Sequence, residues 1–205
     1  MRRVTTEPIP ADAQQRILDA AIRAPSGGNM QNWRFLLVDD PAIRAKIAPL
    51  YRAALSELWT GFYAPRLAAA EADPESADSK QFFRIRKSAD HLADNFADIP
   101  LLLFAFAQFD PTGGSIFPAV WSAQLAARAE GIGSALTSIL AFRTNEVFEI
   151  LGVPEDEGWN MACCVTFGYP TGRWGVAART PVHEVAHRNQ WGAPLGFEVP
   201  EPLWP

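Results

Sequence analysis

The stretch Arg23-Ala24-Pro25-Ser26-Gly27-Gly28-Asn29-Met30-Gln31-Asn32-Trp33-Arg34-Phe35 constrains this chain more than any other. An amphipathic segment precedes it, with Ile17, Leu18, Ala21 and Ile22 at helical spacing, and the apolar run Phe35-Leu36-Leu37-Val38 follows. A helix over residues 11–24 must end near Pro25, which lacks an N–H and disfavours helical backbone at Ala24. Ser26, Gly27, Gly28 and Asn29 then turn the chain. Such a turn brings backbone N–H groups within reach of a ligand, but ordinary helix-to-strand loops use the same residues. Residue types alone leave both readings open.

Composition narrows the class. The chain has 205 residues, enough for a sizeable core and most simply one domain. Hydrophobic residues make up 48% and charged residues 20%, as in a soluble globular protein. A net charge of −5 and the absence of a Lys/Arg block argue against a nucleic-acid surface. No apolar run is long enough to span a membrane, and no signal-peptide core follows Met1-Arg2-Arg3-Val4-Thr5-Thr6-Glu7. Cys163 and Cys164 are adjacent and cannot staple distant segments, which points to a reducing cytoplasm.

Further along, periodicity predicts a helix over 42–58 and another over 84–96. Between them, 59–84 reads as the least regular part, with a polar tract at 71–79 taken as loop and Trp59, Phe62, Tyr63, Phe82 and Phe83 around it. Those aromatics serve either a core or a pocket roof. The unbroken apolar run 100–107 fits a strand buried on both faces. Ser115 is the expected cap of a helix over 115–130, in which Ile116, Val120, Ala123 and Ala127 share a face beside further alanines. Gly131-Ile132-Gly133-Ser134 is not a dinucleotide fingerprint, since a helix precedes it and the third glycine is missing. Gly131 reads instead as a left-handed helix-end glycine. A short helix over 145–151 and a strand over 161–168 follow, then a tail rich in Pro and aromatics.

The pattern A-P-S-G-G-N-x-Q-x-W-x-F in a helix-to-strand loop resembles the flavin-binding signature of the nitroreductase family. That resemblance implies an α+β fold, an α-β-α sandwich whose central, mostly antiparallel sheet is flanked by helices, in an intertwined homodimer. It implies that Pro25, Ser26, Gly27, Gly28, Asn29 and Gln31 line FMN, although Asn32 stands where the family usually has Pro. Thr137, Ser138 and Ile139 match the family's backbone stretch at flavin N5 and O4, and Gly168-Tyr169-Pro170 matches its Gly-Tyr-Pro strand ending. Arg179-Thr180-Pro181-Val182 matches an R-x-P-hydrophobic segment whose Arg reaches the FMN phosphate, a role suited to a planar guanidinium. Matching on Glu7-Pro8-Ile9-Pro10 sets Arg2 on the last basic position of an N-terminal phosphate-binding segment, with Arg3 beside it. The upstream R-x-S has no counterpart, which implies either an earlier start or weaker phosphate binding. His91 falls near a family position facing the flavin pyrimidine, though a lone helical His is more often merely packed. The resemblance further implies that 59–84 covers the pocket, that the helix over 115–130 lies at the dimer interface, and that 188–205 wraps a partner.

His183-Glu184-Val185-Ala186-His187 satisfies the zinc-peptidase pattern H-E-x-x-H, but no third ligand follows on a second helix. No nucleophile-base set or carboxylate pair stands out either. That absence suits the flavin oxidoreductase chemistry that the resemblance implies, with no catalytic side chain and no metal. NADH or NADPH would deliver hydride to flavin N5, and electrons would pass on to a small acceptor such as a nitroaromatic or quinone. The alternative is an FMN-binding storage or sensor protein without that turnover.

Overall fold

A computed structural model describes residues 1–175, 177 and 179–200. Val176, Ala178 and 201–205 lie outside the described residues, and with them the last part of the expected tail, including Leu203 and Trp204. Residues Met1–Thr171 form one compact unit and Gly172–Pro205 a second.

In the first unit, helices α1 (Ala11–Ile22), α2 (Pro41–Thr60), α3 (Ala64–Ala72), α4 (Ala77–Asp94), α5 (Ile116–Ala129) and α6 (Thr144–Leu151) surround one sheet. Its strands are β1 (Trp33–Val38), β2 (Leu101–Ala107), β3 (Gly133–Thr137) and β4 (Asn160–Gly168), in the order β1-β2-β4-β3, every pair antiparallel. Strand β2 is buried along its whole length, as its unbroken apolar run predicts. Successive side chains alternate between faces. Leu101, Leu103, Ala105 and Ala107 face a core with α1 and α5. Leu102, Phe104 and Phe106 face a second core with α2, α4 and α6. The result is the expected α-β-α sandwich.

Several elements depart from expectation. Residues 59–84 are mostly helical: α3 ends at Ala72 and α4 starts at Ala77, well before 84. Ser76 makes that early start possible, because its hydroxyl accepts the Ser79 N–H at 3.2 Å while the tract's charged side chains stay in water. Ser115 does not cap α5. The Asp110 carboxylate does, accepting the Ser115 and Ile116 N–H groups at 3.1 and 2.9 Å. The segment after Gly131, where no strand was expected, forms edge strand β3 through its pairing with β4. Gly131 does end α5 in the left-handed region, with φ +74°.

The small-residue face of α5 is used within the chain. Ala119, Ala123 and Ala127 are fully buried in the core shared with Ala13, Ile17 and Ala21 of α1. The large side chains Phe117, Trp121 and Leu125, one turn apart, are exposed instead. No helix among the described residues is long and apolar enough to cross a membrane.

Candidate functional site

The turn before β1 is strained in a specific way. Gly28, Asn29 and Gln31 have φ of +57°, +55° and +52°, and two of these residues carry a Cβ that disfavours such backbone. Side-chain hydrogen bonds hold the shape. The Gln31 N–H donates to Ser26 Oγ at 3.2 Å, and Gln31 Nε2 donates to the Asn29 carbonyl and Oδ1 at 3.2 Å each. The Gly27 N–H donates to Ser115 Oγ at 3.2 Å. Pro25, Gly27, Gly28, Asn29 and Gln31 are exposed and Ser26 half-buried, so the turn presents its backbone outward.

A second group of expected residues lies elsewhere. Arg2 donates to Ser88 Oγ at 3.4 Å and Arg3 to His91 Nδ1 at 3.2 Å, both on α4. A guanidinium only donates, so His91 Nδ1 is an acceptor and its other nitrogen holds the hydrogen. Among the described residues neither arginine forms an ion pair. Two of the nearby acids are engaged otherwise: Asp94 with Arg52 at 2.6 Å, and Asp90 with the Trp59 indole N–H at 2.9 Å. A groove of about 200 Å³ lined by Arg2, Arg3, His91, Asn95, Asp98 and Thr171 adjoins one of about 390 Å³ that adds Arg86, Lys87, Asp90 and Asp94. Exposed guanidinium groups with neutral partners form a donor set suited to a phosphate ester.

Thr137 ends β3, Ser138 is exposed, and Ile139 opens a short 3-10 segment, Ile139–Arg143. Thr137 Oγ1 lies 3.3 Å from the Tyr51 hydroxyl. Burial pushes that phenol above its ordinary value. Just before Arg2, the Met1 amino group donates to the Ser134 carbonyl of β3 at 2.5 Å. Arg2 and Thr137 therefore belong to one region. The 25–31 turn does not. It enters β1 at one edge of the sheet, whereas Thr137 ends β3 at the opposite edge, with β2 and β4 between them. At about 4.8 Å per strand the edges are roughly 14 Å apart. Arg179 is exposed in the second unit.

The H-E-x-x-H segment is not one continuous helix. Helix α7 covers only Val182–Val185 and Ala186 is extended, so the two imidazoles do not share a helical face. His183 Nδ1 accepts the Val199 N–H at 3.2 Å, and the His187 ring packs 5.0 Å from Trp191.

Sequence reasoning missed Tyr51 and assigned Ser115 the wrong task. Tyr51 lies between Ile47 and Leu55 on the buried face of α2, and a buried phenol there must find a polar partner. That signal was present, but the partner's identity was not.

A three-layer sandwich with a strained Ser-Gly-Gly-Asn turn and an N-terminal arginine pair defines a class of proteins. The sequence matches the Nitroreductase family over residues 1–169, and the chain belongs to that family. It is 28% identical over 184 residues to 5,6-dimethylbenzimidazole synthase of Rhodobacter capsulatus, covering 83% of this chain and 78% of the relative. Among solved structures it resembles a BluB-like flavoprotein from Clostridium difficile 630, with TM-score 0.66, 20% identity and coverage of 92% and 94% of the two chains. It also resembles the FMN-dependent nitroreductase NfnB from Mycobacterium smegmatis in complex with NADPH, with TM-score 0.58, 21% identity and coverage of 83% and 82%. The last two likenesses establish the shared fold.

Proposed function

We propose that this protein is an FMN-dependent oxidoreductase that takes electrons from NADH or NADPH and passes them to a small electrophilic acceptor. FMN binds in a site built from two copies of the chain. The observation that carries this reading is the separation just described: the 25–31 turn and the Arg2–Thr137 region occupy opposite sheet edges, so one cofactor contacts both groups most simply across a dimer. The exposed stripe Phe117, Trp121 and Leu125 on α5 supplies an apolar face for the second copy. Residues 59–84 would cover the acceptor pocket and 188–205 would wrap the partner.

Bound FMN would supply the two-electron chemistry. Arg2, Arg3 and Arg179 would hold its phosphate. The outward-facing backbone of Ser26, Gly27, Gly28 and Asn29, with Pro25 and Gln31, would line the ring, and Thr137, Ser138 and Ile139 would meet its reactive edge. Backbone N–H groups there that make no bond within the chain would favour added negative charge without reorganisation. The buried thiols Cys163 and Cys164 suit a reducing cytoplasm.

The test is purification followed by NAD(P)H oxidation with a nitroaromatic or quinone. A yellow protein that turns over supports the reading, and a yellow protein without turnover makes it a flavin store or sensor. The likeness to 5,6-dimethylbenzimidazole synthase spans most of both chains and favours a second reading, in which 5,6-dimethylbenzimidazole is the product. Its formation in the same assay, without acceptor reduction, would select that reading.

A further inference from the structure

We propose that Tyr51 is a positioning residue for the turn at 137–139, acting through the Thr137 hydroxyl and so setting how that turn meets the flavin. The inference rests on the FMN reading above. Tyr51 is 3% exposed, and its ring stacks on Phe96 with centroids 4.2 Å apart. Packing therefore fixes the ring, and the phenol oxygen sits 3.3 Å from Thr137 Oγ1. The Ile139 N–H donates to the same Thr137 oxygen at 3.4 Å.

Burial raises the Tyr51 pKa, so the phenol keeps its proton at neutral pH and can donate. Either hydroxyl can donate to the other; with Tyr51 as the donor, Thr137 Oγ1 accepts from Tyr51 on one lone pair and from Ile139 on the other. In that arrangement the Thr137 hydrogen is left to donate outward, and among the described residues no other acceptor is bonded to it. A hydroxyl that accepts two hydrogen bonds is polarised into a better donor. Half-buried at the end of an edge strand, Thr137 would present that donor beside the backbone stretch that the resemblance sets at flavin N5 and O4.

The experiment titrates the full-length protein with FMN, measures the bound flavin's midpoint potential, and records the melting temperature without FMN. Tyr51→Phe keeps the ring stack and is expected to weaken FMN about 3- to 10-fold and to move the potential. Thr137→Val should do the same, and the double variant should be no worse than Thr137→Val alone. Thr137→Ser, which keeps the acceptor, should restore wild-type values. A Tyr51→Phe protein that melts lower yet binds FMN with wild-type affinity and potential would overturn the proposal, as would additive losses in the double variant. Failure of the wild-type protein to take up FMN would instead overturn the cofactor reading beneath it.

Discussion

The Gly27 N–H donates to the Ser115 hydroxyl at 3.2 Å, tying the turn before β1 to the start of α5. The bond is possible because Asp110 has taken over the capping of α5 and leaves the Ser115 side chain for another partner. Ser115→Ala should therefore leave α5 capped while loosening the turn. We expect FMN affinity to fall by about 0.5–1.5 kcal/mol, the usual net worth of one hydrogen bond. Equilibrium titration checks it, and an unchanged affinity would show that the Ser26–Gln31 and Gln31–Asn29 bonds hold the turn unaided.

Arg2→Ala and Arg3→Ala should each weaken FMN by about 1.5–3 kcal/mol, the scale of a hydrogen bond to a charged group. Arg179→Ala carries the same expectation. Riboflavin, which lacks the phosphate, separates the causes. Its binding should be insensitive to all three substitutions, and equal losses for riboflavin and FMN would remove these arginines from the phosphate.

Trp121→Asp places a charge on the exposed α5 stripe without touching the α1–α5 core. An interface anchor of this kind is worth about 2 kcal/mol or more, so sedimentation should show dissociation, with loss of bound flavin. A variant that stays a flavin-loaded dimer would move the interface away from this face.

Much of this was legible in the sequence. The buried strand β2 and the Gly131 helix end followed from apolar continuity and from the left-handed conformation that glycine tolerates. Strand β3 did not, because Gly133, Ser134 and Ala135 have weak strand preference and owe their conformation to β4. Helix α4 was misplaced because polar composition resembles loop until Ser76 is recognised as a cap. The site was legible only as separate motifs. Tyr51 and Thr137 are 86 residues apart in sequence, and no local pattern announces their contact.

Acid should reveal another long-range tie. Arg16 donates to both oxygens of Glu130 at 2.7 and 2.8 Å and to Asp12 at 3.1 Å, joining α1 to the end of α5. These hydrogen bonds hold both carboxyls below their ordinary values of 3.8 for Asp12 and 4.5 for Glu130. A group whose folded pKa is depressed contributes stability above its unfolded pKa and loses it as pH falls through the folded one. Arg16→Ala should thus lower the melting temperature near pH 7, less so in high salt. The deficit should vanish once both carboxyls are protonated in either state. An equal deficit in strong acid would assign Arg16 a packing role instead.

The composite site is tested most directly by mixing two defective chains. One carries Ser26→Ala with Asn29→Ala in the turn, and the other carries Arg2→Ala with Thr137→Val. In each homodimer every site has one damaged half and FMN binding should be weak. In a mixed dimer one site combines two damaged halves and the other two intact ones. Unfolding and co-refolding the pair should therefore restore tight FMN binding, at up to one flavin per mixed dimer. If the mixture binds no more flavin than the separate variants while mixed dimers form, each site lies within a single chain and the account is wrong.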